Sequence, residues 1–253
     1  MKRILSFLAI AFIINSCSNS SSNAVSNSNS LVSKIISTTS SGSTTTITFS
    51  YSGNKITELN SSTTQNIYTY TGDHITTVET MNGQVLFYRT TFTFDAAGRV
   101  VSERMNSYTD NSAQNRAYTY NSDGTISVAI SAGDINTYPL NLIRNAKIFL
   151  DAIGEVAKIE NYDLSNNFVN KTVYTNDGKN SPVKNILGFN KQPYFFEKYC
   201  NMIAIDNYDI NNQITSNSTK QYTYNSDNFP SAGTQINYSN GSVNGTTTIQ
   251  YFY

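Results

Sequence analysis

From residue 46 onward, apolar and polar side chains alternate with a period of two, break at a short run of turn residues, and resume. Arg116–Ser131, RAYTYNSDGTISVAIS, is the clearest copy. Tyr118 and Tyr120 alternate with Ala117 and Thr119, Asn121-Ser122-Asp123-Gly124 interrupts, and Ile126 and Val128 resume the pattern. A period of two is that of a strand with one buried face. Asn and Asp bond their own local backbone, and Gly supplies the positive φ that closes a four-residue hairpin loop. The unit therefore reads as a β-hairpin with an aromatic inward face.

The same unit returns along the chain. Thr46–Glu58 turns at Ser52-Gly53-Asn54, Asn66–Glu79 at Thr71-Gly72-Asp73, and Thr90–Glu103 at Asp95–Gly98. Lys147–Ile159 and Tyr208–Ser216 are copies that depart from the aromatic pattern; Thr172–Gly178, TVYTNDG, and Lys220–Asn228, KQYTYNSDN, are further copies. Leu31–Thr38 predicts an opening strand and Thr246–Tyr253 a closing one. The spacings vary, so a strict solenoid is excluded. The fold class that follows is all-β: an antiparallel up-and-down meander of repeated hairpins, forming a curled sheet or a closed barrel.

One stretch breaks the rhythm. Ser181-Pro182 followed by Val183–Leu187 and Gly188 carries an N-cap, a proline at the first helical position and a terminal glycine. Phe195 or Phe196, Tyr199, Met202 and Ile203 then fall at helical spacing, with Glu197, Lys198 and Asn201 on the other side. Residues 182–202 are expected to be a short helical insert that caps one end of the sheet.

The N-terminus carries an address. Lys2 and Arg3 precede an apolar run, Ile4–Ile14, too short to span a bilayer as a mature helix. Ile14-Asn15-Ser16-Cys17 resembles the lipobox of bacterial lipoproteins, which implies cleavage after Ser16 and acylation of Cys17. Residues 18–30, all small or polar with a single Val, read as a flexible tether. The domains are thus a signal peptide over 1–16, a lipidated Cys and tether over 17–30, and one hairpin-repeat domain over 31–253. With Ser18 rather than Asp after the Cys, the resemblance implies an outer-membrane anchor, and with no acidic residue before Glu58 it favours the periplasmic face over the cell surface, which stays open.

The repeat, aromatic-x-aromatic-[Asp/Asn]-x-x-Gly-x-[Ile/Val], is similar to the YD repeats of Rhs-type proteins. From Leu31 to Tyr253 the chain also resembles Bacteroidetes lipoproteins of unknown function described as having a porin-like fold. LVSKIIST with TTTITFSYSGNKITEL, DGKNSPVKNILG and YTYNSDNFPS carry that resemblance. It implies an antiparallel barrel or strongly curled sheet and carries no established activity.

Charge removes several function classes. The whole chain has 17 basic and 17 acidic residues, and loss of Lys2 and Arg3 leaves 15 against 17, a net charge of −2. No basic face for nucleic acid exists, and the membrane is a partner only through the lipid. His74 is the sole histidine and reads as a solvent-facing hairpin flank, where sister units carry Lys55, Arg99 and Thr125. No G-x-S-x-G elbow accompanies it. Once Cys17 is acylated, Cys200 is the only thiol and reads as a small buried hydrophobe. No metal set, cofactor site or catalytic residue is therefore expected.

Two remaining sets of acids have ordinary explanations. Glu58, Glu79 and Glu103 recur five to seven residues after their repeat glycines and read as a solvated face. Asp73, Asp95, Asp123 and Asp177 read as turn formers, since calcium needs six or more converging oxygens. The expected function is a non-enzymatic binding or structural module of the envelope, with a protein or glycan ligand. The alternative is a hydrolase of envelope or dietary glycans, which needs two carboxylates about 5–10 Å apart at a barrel mouth. A membrane-spanning barrel is disfavoured because the face opposite the aromatics is Thr, Ser and Asn.

Overall fold

A computed structural model describes residues 30–194 and 197–253. The signal peptide, Cys17 and nearly all of the tether, together with Phe195 and Phe196, lie outside the described residues.

Sixteen strands follow one another in chain order. They are β1 (Lys34–Thr39), β2 (Thr44–Ser52), β3 (Lys55–Asn60), β4 (Gln65–Thr71), β5 (His74–Asn82), β6 (Val85–Phe94), β7 (Val100–Ser107) and β8 (Ser112–Tyr120). The second half comprises β9 (Ile126–Asp134), β10 (Asn141–Leu150), β11 (Val156–Tyr162), β12 (Phe168–Asn180), β13 (Cys200–Tyr208), β14 (Ile214–Tyr224), β15 (Pro230–Ser239) and β16 (Ser242–Phe252). Each pairs antiparallel with its neighbours in sequence, and β1 pairs with β16 from Lys34↔Phe252 to Thr39↔Thr247, so the sheet is a closed barrel. Closure satisfies the edge groups that a curled sheet would leave open.

The repeated unit forms as its composition dictates. Asp95 Oδ1 accepts the Ala97 and Arg99 amides at 2.9 Å each, and Asp151, Asp163 and Asp209 make the same pair of bonds. Asn225 does so with Asp227 and Phe229, and Gly124 takes φ +80°. Asp95 and Asp123 are thus the turn formers expected. Asp177 also accepts the amide two residues on, that of Lys179 at 2.8 Å, beside Gly178 at φ +73°, but at a bulge within β12, which runs through it to Asn180, and its carboxylate accepts the Tyr224 hydroxyl as well.

The aromatics of the repeat point inward. Tyr118 is 5 % exposed, while Ala117 and Thr119 beside it are exposed. One core cluster gathers Val100, Tyr118, Ile126, Val128, Ile148 and Val156, and a second gathers Ile56, Ile75, Ile186 and Phe189. Tyrosine hydroxyls reach backbone carbonyls: Tyr51 to Val32 at 2.7 Å, Tyr120 to Val100 at 3.0 Å, Tyr253 to Pro230 at 3.0 Å. Burial with that polar tip satisfied explains Tyr over Phe at these places, and burial pushes the Tyr68 and Tyr70 phenols up to about 12.

A sixteen-stranded barrel is wide enough to leave a channel, and the insert fills it at one end. It spans residues 181–199, because Cys200 already pairs with Asn180 as the start of β13. The helix expected here shrinks to one 3-10 turn, Phe189–Lys191. Ser181 does cap a turn, its Oγ accepting the Val183 amide at 3.1 Å. Helical φ then fails at Gly188 (+88°) and at Glu197 (+61°). The Leu187 amide donates to Asn54 O at 3.0 Å, the Tyr70 hydroxyl donates to Leu187 O at 2.9 Å, and the Tyr194 ring meets Tyr118. The insert therefore crosses from the β2–β5 wall to β8 and back to β13.

Candidate functional site

The two ends of the barrel differ. The insert, the hairpin turns at Gly53, Gly72, Gly98, Gly124 and Gly154, and both chain ends share one mouth, where Ser33 N–H donates to Phe252 O at 2.7 Å. Toward the other mouth the inward face turns polar. Thr80 donates to Asn66 Oδ1 at 2.7 Å, Thr172 to Asn207 Oδ1 at 2.8 Å, and Gln235 to Asn237 Oδ1 at 2.8 Å.

Below that polar half lies a charged cluster on the inner wall. Strand register aligns Phe92, Glu103, Arg116, Ile130 and Arg144 in one row. Arg116 bonds Glu103 Oε1 at 2.5 Å, and the Tyr118 hydroxyl donates to Glu103 Oε2 at 2.6 Å. Arg116 also stacks 4.7 Å over the insert's Tyr194. Burial, and then the Glu103 charge, push the Tyr118 phenol well above its ordinary range.

Glu103 therefore corrects the reading of three glutamates on one solvated face. Glu58 pairs with Ser50 on the outer wall, and Glu79 bonds Arg89 there. Each β-bulge beside a turn shifts side-chain parity by one residue. Counting from the first inward aliphatic, Glu58 stands two residues after Ile56 and Glu103 three after Val100, so they face opposite ways.

The insert's polar residues are also inward. Glu197, Lys198 and Asn201 were expected to face water; Lys198 is 5 % exposed and Asn201 is 0 % exposed. Glu155, 1 % exposed, accepts the backbone N–H groups of Lys198 (3.2 Å), Tyr199 and Cys200 (2.9 Å). Glu197 accepts the Met202 amide at 2.9 Å and the Tyr222 hydroxyl at 3.3 Å, with Lys220 at 3.5 Å. Glu155 occupies the position before the first inward aliphatic that Lys55, His74, Arg99 and Thr125 fill elsewhere. An acid at a place otherwise basic or neutral was its only signal in the sequence.

The inward carboxylates Glu103, Glu155, Glu197 and Asp177 are thus each engaged by donors of the protein itself. A glycosidase pair needs one carboxyl group free to take or give a proton and the other to face the sugar. Among the described residues no cluster of three or more His, Cys, Asp and Glu could hold a metal ion. Cys200 is buried as expected, but as the first residue of β13, and burial raises its thiol pKa.

His74 departs from the solvent-facing flank. Its ring stands edge-on to Phe94 at 4.6 Å, its Nε2 is buried with no hydrogen-bond partner among the described residues, and it packs on Gly98. A Cβ at Gly98 would lie 2.8 Å from that nitrogen.

The outer wall is hydroxyl-rich: Thr46, Thr48, Ser50, Thr69, Thr71, Thr93 and Thr119 are all exposed. A barrel that crosses a bilayer presents an apolar band outward. Here the apolar surface is inside and at one rim. Among the described residues, ten of the thirteen large exposed apolar side chains lie on the rim away from the insert. Val85, Tyr108, Tyr138, Leu142 and Ile143 lie in, or in the strand ends beside, the β5–β6, β7–β8 and β9–β10 connections; Leu164, Val169, Ile210, Ile214 and Val243 lie in or beside the next three. These six connections are consecutive around the barrel. The remaining two, 40–43 and 61–64, are Ser, Thr and Gly. Sequence reading missed the arc because its members are scattered singly through turns.

The fold defines a class: a closed antiparallel barrel, plugged at one mouth, with a polar wall. Among solved structures the chain is similar to a porin-like protein from Bacteroides vulgatus, with a TM-score of 0.58 and 15 % identity over 88 % of this chain and 98 % of that one. A porin-like protein from Bacteroides uniformis gives a TM-score of 0.54 and 12 % identity over 87 % and 97 %. Neither protein-family models nor curated sequences match the chain. At these identities the likeness concerns the fold.

Proposed function

We propose that this chain is a lipid-anchored, non-enzymatic envelope protein whose barrel holds a protein partner at the rim away from the insert. The apolar arc carries the reading. Ten exposed apolar side chains stand at six successive hairpin ends of one rim, and exposed apolar groups gathered on one face mark an interaction surface. Only Tyr108 and Tyr138 among them are aromatic, so the patch suits packing against protein side chains rather than stacking on sugar rings.

Charge narrows the partner. Asp110, Asp134, Asp163 and Asp209 stand among the apolar tips, against Arg144 beside Ile143, and the connecting segments themselves hold no Lys or Arg, so acids outnumber bases there. This sign opposes an anionic membrane surface and suits a partner that presents basic residues around an apolar centre. The Ser30 carbonyl accepts the Asn185 side-chain amide at 3.1 Å, at the plugged mouth, which supports a tether leaving from that end. An anchor at Cys17 would then hold the plugged end toward the membrane and present the rim to the envelope space, on the periplasmic side by the lipobox resemblance.

Site-specific photo-crosslinking in cells tests the reading. A crosslinker at Val243 or Ile210 should give a discrete protein adduct, and one at Thr48 on the outer wall should not. Equal adducts at both places, or none at the rim, would overturn the rim assignment. Cys17→Ala should abolish palmitate labelling and release the protein from membranes, and unchanged labelling would remove the anchor.

A further inference from the structure

On the outer wall of β8–β11 the convex surface of the barrel gives way to a groove. Strand register sets two outward rows across these four strands: Ala117, Ala129, Asn145 and Tyr162 in one, Thr119, Ser127, Lys147 and Glu160 in the other. They face outward because Tyr118, Val128 and Ala146, which alternate with them, are buried, as is Ile159 beside Glu160. The side chains on β8 and β9 are short and those on β10 and β11 long. The surface therefore drops into a trough of about 410 Å³ against the Tyr162 ring. That volume lies within the roughly 300–1,000 Å³ of ligand sites. At about 4.8 Å per strand, the trough spans about 14 Å from β8 to β11.

The charges around the trough are paired. Lys147 bonds Asp123 at 3.2 Å, and Glu160 bonds Lys158 at 2.7 Å while accepting the Tyr162 hydroxyl at 2.6 Å. That hydroxyl bond, with the Phe168 ring edge-on at 6.2 Å, holds the Tyr162 ring and leaves its face to offer. At the upper end, toward the 163–167 turn, Asn145 gives one N–H to Asn166 Oδ1 at 3.3 Å. Asn145 Oδ1 and the Asn166 NH2 group then have no partner among the described residues. Thr119 and Ser127 add hydroxyls to a floor on which no side chain is larger than Thr.

We propose that this groove binds a neutral carbohydrate chain, one sugar ring stacked on Tyr162 and its hydroxyls on Asn145, Asn166, Thr119 and Ser127. A sugar ring presents an apolar C–H face rimmed by hydroxyls. An aromatic face suits the first, and amides and hydroxyls, which donate and accept alike, suit the second. Paired charges leave nothing for an ionic ligand to neutralise. A protein partner needs apolar anchors at its centre; the Ala, Ser and Thr of this floor offer none, whereas the rim does. A held ring above a floor built on strands loses little freedom on binding. The groove lies on the wall below the apolar rim, so either assignment stands without the other.

Affinity electrophoresis of the folded chain tests the proposal, in native gels holding amylopectin, galactomannan, xyloglucan or dextran, with polygalacturonate as the anionic comparison. At least one neutral polysaccharide should slow the chain, more than polygalacturonate does, and the one that acts names the sugar. Tyr162→Ala should weaken that binding by about tenfold, the loss of one stacked ring, while Tyr162→Phe keeps the ring and should retain it. Ala129→Arg, which fills the floor from an outward position, should abolish it and serves if Tyr162→Ala does not fold. Phe252→Ala removes an exposed ring under Lys34 on β16, outside the groove, and should bind as the unaltered chain does. No slowing in any neutral polysaccharide, slowing by polygalacturonate alone, or Tyr162→Ala and Ala129→Arg chains that run like the parent would overturn it.

Discussion

Removing the Glu155 carboxylate should detach the insert from the barrel. Three backbone N–H groups, those of Lys198, Tyr199 and Cys200, converge on it in a place where Glu155 is 1 % exposed. Hydrogen bonds to a charged acceptor contribute about 1.5–3 kcal/mol each, and a buried donor left without a partner costs roughly 1–3 kcal/mol. Glu155→Gln keeps one acceptor oxygen but turns an NH2 toward an N–H, so one bond is lost and the others lose charge assistance, for about 2–4 kcal/mol in all. Glu155→Ala strands all three donors, roughly 3–9 kcal/mol at face value, comparable with a typical domain's entire stability. The chain can limit that cost by releasing residues 193–199 to water while the hairpins of the wall persist. Hydrogen exchange separates the two responses: the amides of 198–200 should lose protection in both variants while Val128 and Ile130 keep theirs. Denaturant melts should lose more in the Ala variant than in the Gln variant. If Glu155→Ala changes stability by less than about 1 kcal/mol and leaves 198–200 protected, the carboxylate does not hold the insert.

Gly233 sits in β15 with ordinary backbone, but a Cβ there would lie 2.9 Å from Tyr222 Cδ1 and 3.2 Å from Gln221 O. Gly233→Ala should therefore cost about 1–3 kcal/mol in urea melts through overpacking, and a neutral result would mean the Tyr222 ring moves freely. Asp123 titrates in a defined window: the Thr125 hydroxyl and amide, then Lys147, hold its carboxyl down at about 2. A folded-state value below the unfolded one contributes stability that is complete above the ordinary carboxylate range and fades as pH falls through about 2. Acid melts of Asp123→Asn should accordingly be flatter in that window than those of the parent, and equal slopes would remove the role. Tyr118→Phe deletes the hydroxyl that donates to Glu103 and should destabilise by about 1.5–3 kcal/mol; a smaller loss in a thermal melt would mean that Arg116 alone satisfies the carboxylate.

How far each feature was legible depends on the range of the forces behind it. The alternation of Tyr118 and Tyr120 with Ala117 and Thr119, the turn at Asn121–Gly124 and the all-β class are local, since strand pleat and turn dihedrals are set within a few residues, and the chain shows them directly. Closure is not local. It joins Lys34 to Phe252 and depends on strand number, tilt and register accumulated around the wall. The direction of Glu103 was hidden for a related reason: one bulge between turn and strand inverts parity, and nothing in the spacing announces a bulge. Helical spacing in the insert misled because it presumes backbone N–H groups bonded along the chain, whereas here Glu155 takes those of Lys198 and Tyr199 from across space. The apolar arc exists only once six turns distant in sequence are set side by side. The sequence by itself thus determined the hairpin and its buried face; tertiary structure alone decided which charges lie inside, because burial of a charge depends on partners that only the closed barrel brings within reach.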